Sequence, residues 1–400
     1  MKPAYLMRKE SFGGTFSNPV SGKRVYVNHA EFDQIKLAGG LPDALQTELK
    51  SAAGSIIVRE PDFLPGYTFS SPDVIFFEIT RACNLTCTHC FNNSGKRLLG
   101  ELSNIQRAAI IEDLCIAGVQ EIRFTGGEPL AVRAVFDFIS QIREVGLRAS
   151  IGTNGALING NVAKRLASAG LNAAITSIDG MEEKHDSIRG NGSFQKTLIG
   201  IDALLSEGIP VRVNTVVMKS NLEEVVRVTD YFFKREIPIM IRRLIPAGRA
   251  DGMMAEMLTQ GDYADLRRRL EDQLEDPRGL VRGHYLKDDK VAPRIQLPFT
   301  RHACSAGHRG LVILPGGAVQ TCGFLGPLGE RSPGNLKDVN LASLWKSLVE
   351  SQHISNLRSL LRGHNAETTG PQTNCLAIAL ASQKGRFSLD IDIRKDGITP

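Results

Sequence analysis

Between residues 74 and 244, short apolar and β-branched runs alternate with helix-length segments, and this constrains the fold more than any other feature of the chain. The runs are Val74 to Thr80, Glu121 to Thr125, Arg148 to Thr153, Ala173 to Ile178, Val211 to Met218 and Ile237 to Leu244. Runs that are apolar throughout read as strands buried on both faces, and parallel strands need a helical crossover between them. The result is a series of β/α units joined by right-handed connections. Such a series closes as an open doubly wound sheet or as a barrel, complete or partial. Either way, ligands sit at the carboxyl ends of the strands. One helix is marked at both ends, with Ser103 as N-cap and Gly118 just past the last turn, and with an apolar stripe at Ile110, Leu114 and Ile116.

The chain has 400 residues, 42% hydrophobic and 23% charged, enough for two to three domains. Residues 1–72 form a unit of their own. Tyr5 to Arg8, Phe12 to Phe16 and Arg24 to Asn28 are short strands, a helix follows from His29 to Leu37, and Glu60 to Pro72 is a linker. Beyond Pro246-Ala247-Gly248-Arg249, residues 251–300 form a charged helical linker. A hairpin around Gly316-Gly317 then opens a third unit, residues 301–400, with helices near Leu341 to Leu361. Lys and Arg number 48 against 43 Asp and Glu, and the interleaved signs argue against a nucleic-acid partner. The start of the chain lacks a signal-peptide pattern, and no run approaches the roughly 18 apolar residues of a membrane span. The expected compartment is the cytoplasm, with no membrane partner.

Seven cysteines are too few for a disulfide scaffold and odd in number. Three of them, Cys83, Cys87 and Cys90, fall in Cys83-Asn84-Leu85-Thr86-Cys87-Thr88-His89-Cys90, directly after the first strand of the β/α series. Thiolates at this density hold zinc or an iron-sulfur cluster. A structural zinc site needs four closed ligands, usually two Cys-x2-Cys pairs, and no second pair stands nearby. His89 reads as a packing or solvent residue, and Cys115 as a core residue on a helix.

This loop and the strand ends after it resemble the radical SAM superfamily. Phe124-Thr125-Gly126-Gly127-Glu128-Pro129 is similar to the family's glycine-rich segment near the methionyl amino group of S-adenosylmethionine. Thr153-Asn154-Gly155 stands where the family contacts ribose. Ser177-Ile178-Asp179-Gly180, with His185-Asp186 and Arg189, resembles the segment near the SAM carboxylate. The resemblance covers residues 74 to 250. It implies a partial (β/α)6 TIM-like barrel and a [4Fe-4S] cluster held by Cys83, Cys87 and Cys90. It further implies SAM contacts from Gly126, Gly127, Glu128, Thr153, Asn154, Ser177, Asp179 and Arg189. The activity implied is reductive cleavage of SAM to a 5'-deoxyadenosyl radical that abstracts hydrogen, with a flavodoxin- or ferredoxin-type electron donor.

After the barrel, Cys304 to Cys322 with Gly317 between them, then Gly334-Asn335-Leu336 and Ser343-Leu344-Trp345, resemble the SPASM and twitch extensions of radical SAM enzymes. The run of clustered cysteines that completes a SPASM domain is missing, and only Cys375 remains. The family order assigns Cys304, Cys322 and Cys375 to one auxiliary [4Fe-4S] cluster with an open iron, for which His302, His308 and His364 are nearby candidates. Cysteines of a domain that has lost its cluster are the alternative. The extension implies a peptide substrate, as in peptide maturases, and Phe12 to Asn28 resembles the small winged domains that bind a leader peptide by strand addition, the alternative being an N-terminal cap that merely covers the barrel. A precursor peptide is therefore the expected partner, with a separate leader-binding protein as a further one. An open auxiliary iron favours crosslinking or backbone excision over epimerisation. The other readings are modification of a small-molecule antibiotic, sugar or nucleoside, and a non-catalytic cluster-bearing peptide carrier.

Overall fold

The computed structural model describes residues 5–49, 55–61, 69–274, 280–283, 306–307 and 309–351. Two sheets organise these residues. The first is four-stranded, in the order β3-β2-β1-β4, with β1 Tyr5–Glu10, β2 Gly13–Ser17, β3 Arg24–Val27 and β4 Ile56–Arg59. Helices α1 His29–Ala38 and α2 Asp43–Glu48 lie between β3 and β4 in the chain. Asn28 caps α1 in a reciprocal capping box with Glu31, and Gly39 ends it in the left-handed conformation.

The second sheet carries the β/α series. Its strands are β5 Val74–Thr80, β6 Glu121–Gly126, β7 Arg148–Gly152, β8 Ala173–Ser177, β9 Val211–Val217 and β10 Ile239–Arg243, all parallel and in sequence order. Helices α3 Asn104–Ile116, α4 Val135–Glu144, α5 Gly160–Ser168, α6 Glu182–Arg189, α7 Ser193–Ser206 and α8 Leu222–Lys234 connect them. This is the expected α/β architecture, a mixed fold built on a parallel sheet. Alternation along each strand sets two faces. Ile75, Phe77, Ile79, Ile122, Phe124, Ala149 and Ile151 join Phe138, Ile142, Leu166, Leu204 and Phe232 from the helices in one buried core. The alternate positions share the opposite face, where the Arg123 guanidinium lies 5.2 Å over the Phe76 ring and donates to Ser150 Oγ at 3.1 Å.

One expectation for α3 is corrected. Ser103 does form a reciprocal capping box with Gln106, but Ile116 is 74% exposed. The buried face runs through Ile110, Ile111, Leu114 and Cys115, because a residue six positions past Ile110 lies on the far side of a 3.6-residue helix.

Both edges of the barrel sheet are extended by the C-terminal part of the chain. After α9 Gln260–Gln273, β11 Val281–Gly283 pairs in parallel with β10. The hairpin expected around Gly316-Gly317 forms as β12 Gly310–Ile313 and β13 Val319–Gln320, and β12 lies parallel against β5. Gly317 turns it at φ +89°, where only glycine is unstrained. Helix α10 Leu341–Glu350 follows, and its Trp345 is buried with Nε1 donating to Phe69 O at 2.8 Å.

The four-stranded sheet docks at the amino ends of the barrel strands, opposite the end where ligands bind in such folds. Buried Arg8 donates to Glu10 at 2.6 Å, to Asp73 at 2.9 Å and to Gly118 O at 3.0 Å. Asp73 also takes Arg309 at 3.0 Å, and Arg24 reaches Gln120 at 2.8 Å. Among the described residues no helix is long and apolar enough to cross a membrane.

Candidate active site

The cysteine loop leaves β5 at Arg81 and returns at Gly95. Its base is closed by Cys83 N–H on Gly95 O and Gly95 N–H on Arg81 O, each at 2.9 Å. Glu101 holds the entry, accepting from Arg81 N at 2.8 Å and Thr80 Oγ1 at 2.9 Å. Thr88 N–H reaches across to Ile188 O of α6 at 2.9 Å.

Gly126 and Gly127 answer to this loop. A β-carbon on Gly126 would lie 2.3 Å from Thr80 O, and one on Gly127 would lie 2.2 Å from Ala82 O. Without side chains there, Gly127 N–H donates to Thr80 O at 2.7 Å and Glu128 N–H to Ala82 O at 2.8 Å. The glycine pair thus presses the end of β6 against the entry of the cysteine loop, backbone to backbone.

Glu128 is fully buried and accepts from Thr153 Oγ1 at 2.8 Å, Asn154 N at 2.9 Å and Leu130 N at 3.2 Å. It ties the end of β6 to the end of β7. Burial pushes its carboxyl up to about 7 despite these three donors. Asn154 continues the chain of contacts, its Nδ2 donating to Asn84 Oδ1 at 2.8 Å and lying 3.8 Å from Cys83 Sγ. Ser177 stands half-buried at the end of β8.

Asp179 is the hub of the far side. Its Oδ2 accepts from Arg189 Nε at 2.6 Å and His89 Nε2 at 2.9 Å, and its Oδ1 from Val216 N at 2.8 Å. Burial alone would raise its carboxyl, but Arg189 and His89 hold it well below the usual range. Its N–H meets His185 Nδ1 at 3.3 Å, and its carbonyl accepts from Asn221 at 2.8 Å. His185 is pushed down to about 4, chiefly by burial and then by Arg189. Arg189 Nη1 also lies 3.9 Å from Cys87 Sγ.

Sequence reasoning missed three residues that the fold brings here. His89, taken for a packing or solvent residue, is paired with Asp179, and its Nδ1 is buried without a hydrogen-bond partner. Glu78, an acidic residue in the middle of an apolar strand run, is buried, faces Arg81 at 3.0 Å and accepts from Asn92 at 3.0 Å. Arg249, beyond the last strand of the series, donates to Cys87 O at 2.7 Å. A lone acid in an apolar strand was the available signal for Glu78. Nothing local marks the other two, because their partners are remote in sequence.

Cys322 follows β13, two residues before Phe324, whose ring meets Phe91 of the cysteine loop edge-on with centroids 4.8 Å apart. Cys304 and Cys375 lie outside the described residues, as do His302, His308 and His364. Cys115 is buried in the core, and burial pushes its thiol up to about 12.

The arrangement fits an iron-sulfur cluster with an open iron. Three cysteines share one loop at the ligand-binding end of the sheet, and N–H donors from Asn154 and Arg189 face two of the sulfurs, which suits thiolates better than weakly accepting thiols. Burial first, and then neighbouring carboxylates and thiols, raise the Cys83 and Cys87 thiols, so an electropositive partner such as iron is needed to ionise them. Among the described residues no three His, Cys, Asp or Glu side chains close on a point as a single metal ion requires. A cluster spreads its cysteines around an iron-sulfur core instead. The orphaned His89 Nδ1 within the loop leaves a polar contact for a bound molecule.

A parallel β/α sheet with a three-cysteine loop after its first strand agrees with the resemblance to the radical SAM superfamily, whose members use a [4Fe-4S] cluster and S-adenosylmethionine. Residues 77–232 match the family model "Radical SAM superfamily". Among curated proteins the chain is 34% identical over 202 residues to Fe-coproporphyrin III synthase of Methanosarcina barkeri, covering 50% of this chain and 51% of that protein. It is 31% identical over 194 residues to mycofactocin maturase MftC of Mycobacterium tuberculosis, covering 48% of this chain and 50% of that one. The chain thus spans about half the length of either relative. Among solved structures, Streptococcus suis SuiB bound to precursor peptide SuiA shares the fold with a TM-score of 0.67 at 16% identity, covering 90% of this chain and 91% of that one.

Proposed function

We propose that Cys83, Cys87 and Cys90 hold the [4Fe-4S] cluster, that its open iron takes S-adenosylmethionine, and that the chain modifies a ribosomally made peptide. When bound, this pair supplies a 5'-deoxyadenosyl radical able to abstract hydrogen from an unactivated C–H bond. The residues around it orient and shield. Asn154 and Arg189 stabilise the thiolates, Glu128 fixes the strand ends, and Asp179 holds Arg189 toward the cysteine loop and anchors the loop itself through His89. Gly126, Gly127, Thr153 and Ser177 complete the SAM pocket at the same strand ends. The observation that carries this reading is the convergence of four strand ends on one three-cysteine loop.

Three things support a peptide substrate. A four-stranded sheet precedes the barrel and offers edges suited to an extended leader. One curated relative is a mycofactocin maturase, and the fold matches SuiB solved with its precursor peptide. Cys304, Cys322 and Cys375 would carry one auxiliary cluster, which favours crosslinking or backbone excision. The electron donor would be a flavodoxin or ferredoxin, and a separate leader-binding protein is a further partner. A second reading, a tetrapyrrole substrate, is favoured by the 34% identity to an Fe-coproporphyrin III synthase.

Anaerobic reconstitution followed by dithionite and SAM should yield 5'-deoxyadenosine, and replacing Cys83, Cys87 and Cys90 by Ala should abolish it. No deoxyadenosine from the intact chain would sink the radical SAM assignment of these residues. Iron analysis should give about eight irons per chain with two clusters and about four with one. A precursor peptide that raises deoxyadenosine yield and changes mass supports the peptide reading. Iron coproporphyrin doing so instead would replace it with the tetrapyrrole reading.

A further inference from the structure

The cysteine loop is held from behind by two residues that follow β10 and lie about 160 positions further along the chain. Gly248 sits at φ +61°, and a β-carbon there would come 2.2 Å from Phe91 O and 2.7 Å from Cys90 O. That close approach lays Arg249 along the loop. Its N–H donates to Cys90 O at 3.0 Å, Nε to Cys87 O at 2.7 Å, and Nη1 to Ser94 O at 2.6 Å and Asn93 Oδ1 at 3.2 Å. The guanidinium fork therefore spans the loop from Cys87 to Ser94. Asn93, inside that span, takes the unusual φ of +48°.

We propose that Arg249 is a positioning residue for the cluster: it fixes the peptide planes of Cys87 and Cys90, and its charge sets the cluster's reduction potential. This rests on the reading that Cys83, Cys87 and Cys90 are the cluster ligands. A carbonyl held by a donor fixes its peptide plane, and the plane directs the side chain on the same residue. Two of the three ligands are thereby aimed by one residue, Cys87 through the guanidinium and Cys90 through the main-chain N–H. A guanidinium is planar, and its forked donors can span several carbonyls at once, which an ammonium group cannot reproduce. A permanent positive charge beside an iron-sulfur centre also stabilises the reduced, more negative form. The Arg249 side chain is only half-buried, so its role is separable from core packing.

The test compares the full-length chain with Arg249→Lys and Arg249→Gln. Each protein is reconstituted anaerobically, then followed for iron loss to a chelator, for midpoint potential by redox-poised EPR, and for thermal unfolding of the apoprotein. Arg249→Gln should lose iron roughly tenfold faster or more, the usual cost of removing a group that orients metal ligands, and its potential should move negative. Arg249→Lys should also lose iron faster, because the fork is gone, while its potential stays near wild type because the charge remains. Apoprotein melting should change little in either variant. Iron loss and potential at wild-type values in both variants would overturn the proposal. So would faster iron loss that merely follows a lowered apoprotein melting temperature with no change in potential. A wild-type chain that takes up no iron would overturn the ligand assignment and this inference together.

Discussion

Gly127 has no room for a β-carbon, since the nearest atom in that direction is a backbone oxygen 2.2 Å away that cannot swing aside. Gly127→Ala should therefore cost about 2 kcal/mol, the usual range for forced overpacking, and should lower iron retention by pushing β6 off the cysteine loop. Gly152→Ala is the matched control. Its nearest neighbour is a methyl group of Thr125 at 3.3 Å, so stability should change by less than about 1 kcal/mol. Urea unfolding and iron content of the two variants check both expectations, and equal losses would refute the steric account. At this scale the three loop cysteines were legible because ligand spacing is local. Asp179 was legible as part of the site but not in its connections. Its carboxylate joins the cysteine loop, α6 and β9, which are distant in sequence.

The element whose placement was least legible is the β12–β13 hairpin. Its turn is written in Gly316-Gly317, but its parallel pairing with β5 is not, because pairing depends on which edge of the barrel sheet stays open. The hairpin and α10 are pinned there by Trp345, buried at 1% exposure and bonded to Phe69 O. Phe69 in turn packs edge-on against Phe12, so one indole links α10 to the segment that joins the two sheets. Trp345→Phe should cost about 1 to 3 kcal/mol through the lost hydrogen bond and volume, and Trp345→Ala about 3 to 5 kcal/mol. Trp345 is the single tryptophan, so wild-type fluorescence reports this contact directly. A fluorescence transition well below the circular-dichroism transition would show that the hairpin unit melts apart from the barrel.

Across the whole molecule the two sheets are joined by buried charge. Glu121 accepts from Arg123 at 2.6 Å and lies near Arg24 of the first sheet and Arg148 of the barrel. Burial alone would raise its carboxyl, but these three arginines bring it down to about 2, against an ordinary value of 4.5. A depressed carboxylate stabilises the fold fully above the unfolded value and loses that contribution as pH falls toward the folded one. Between about pH 4.5 and 2 this amounts to about 3 kcal/mol. Glu121→Gln should be less stable than wild type at pH 6, and its urea midpoint should fall less steeply between pH 5 and 3. Parallel pH profiles for the two proteins would refute the coupling. By itself the sequence determined what local order can carry: the period of the β/α series, the cysteine spacing, the helix caps and the glycine turns. Only the tertiary structure decided which remote groups meet. The pairing of β12 with β5, the buried link from Arg8 to Asp73 and the reach of Arg249 to the cysteine loop join residues more than sixty positions apart. Their partners are selected by sheet order and by the burial of charge, which no local pattern encodes.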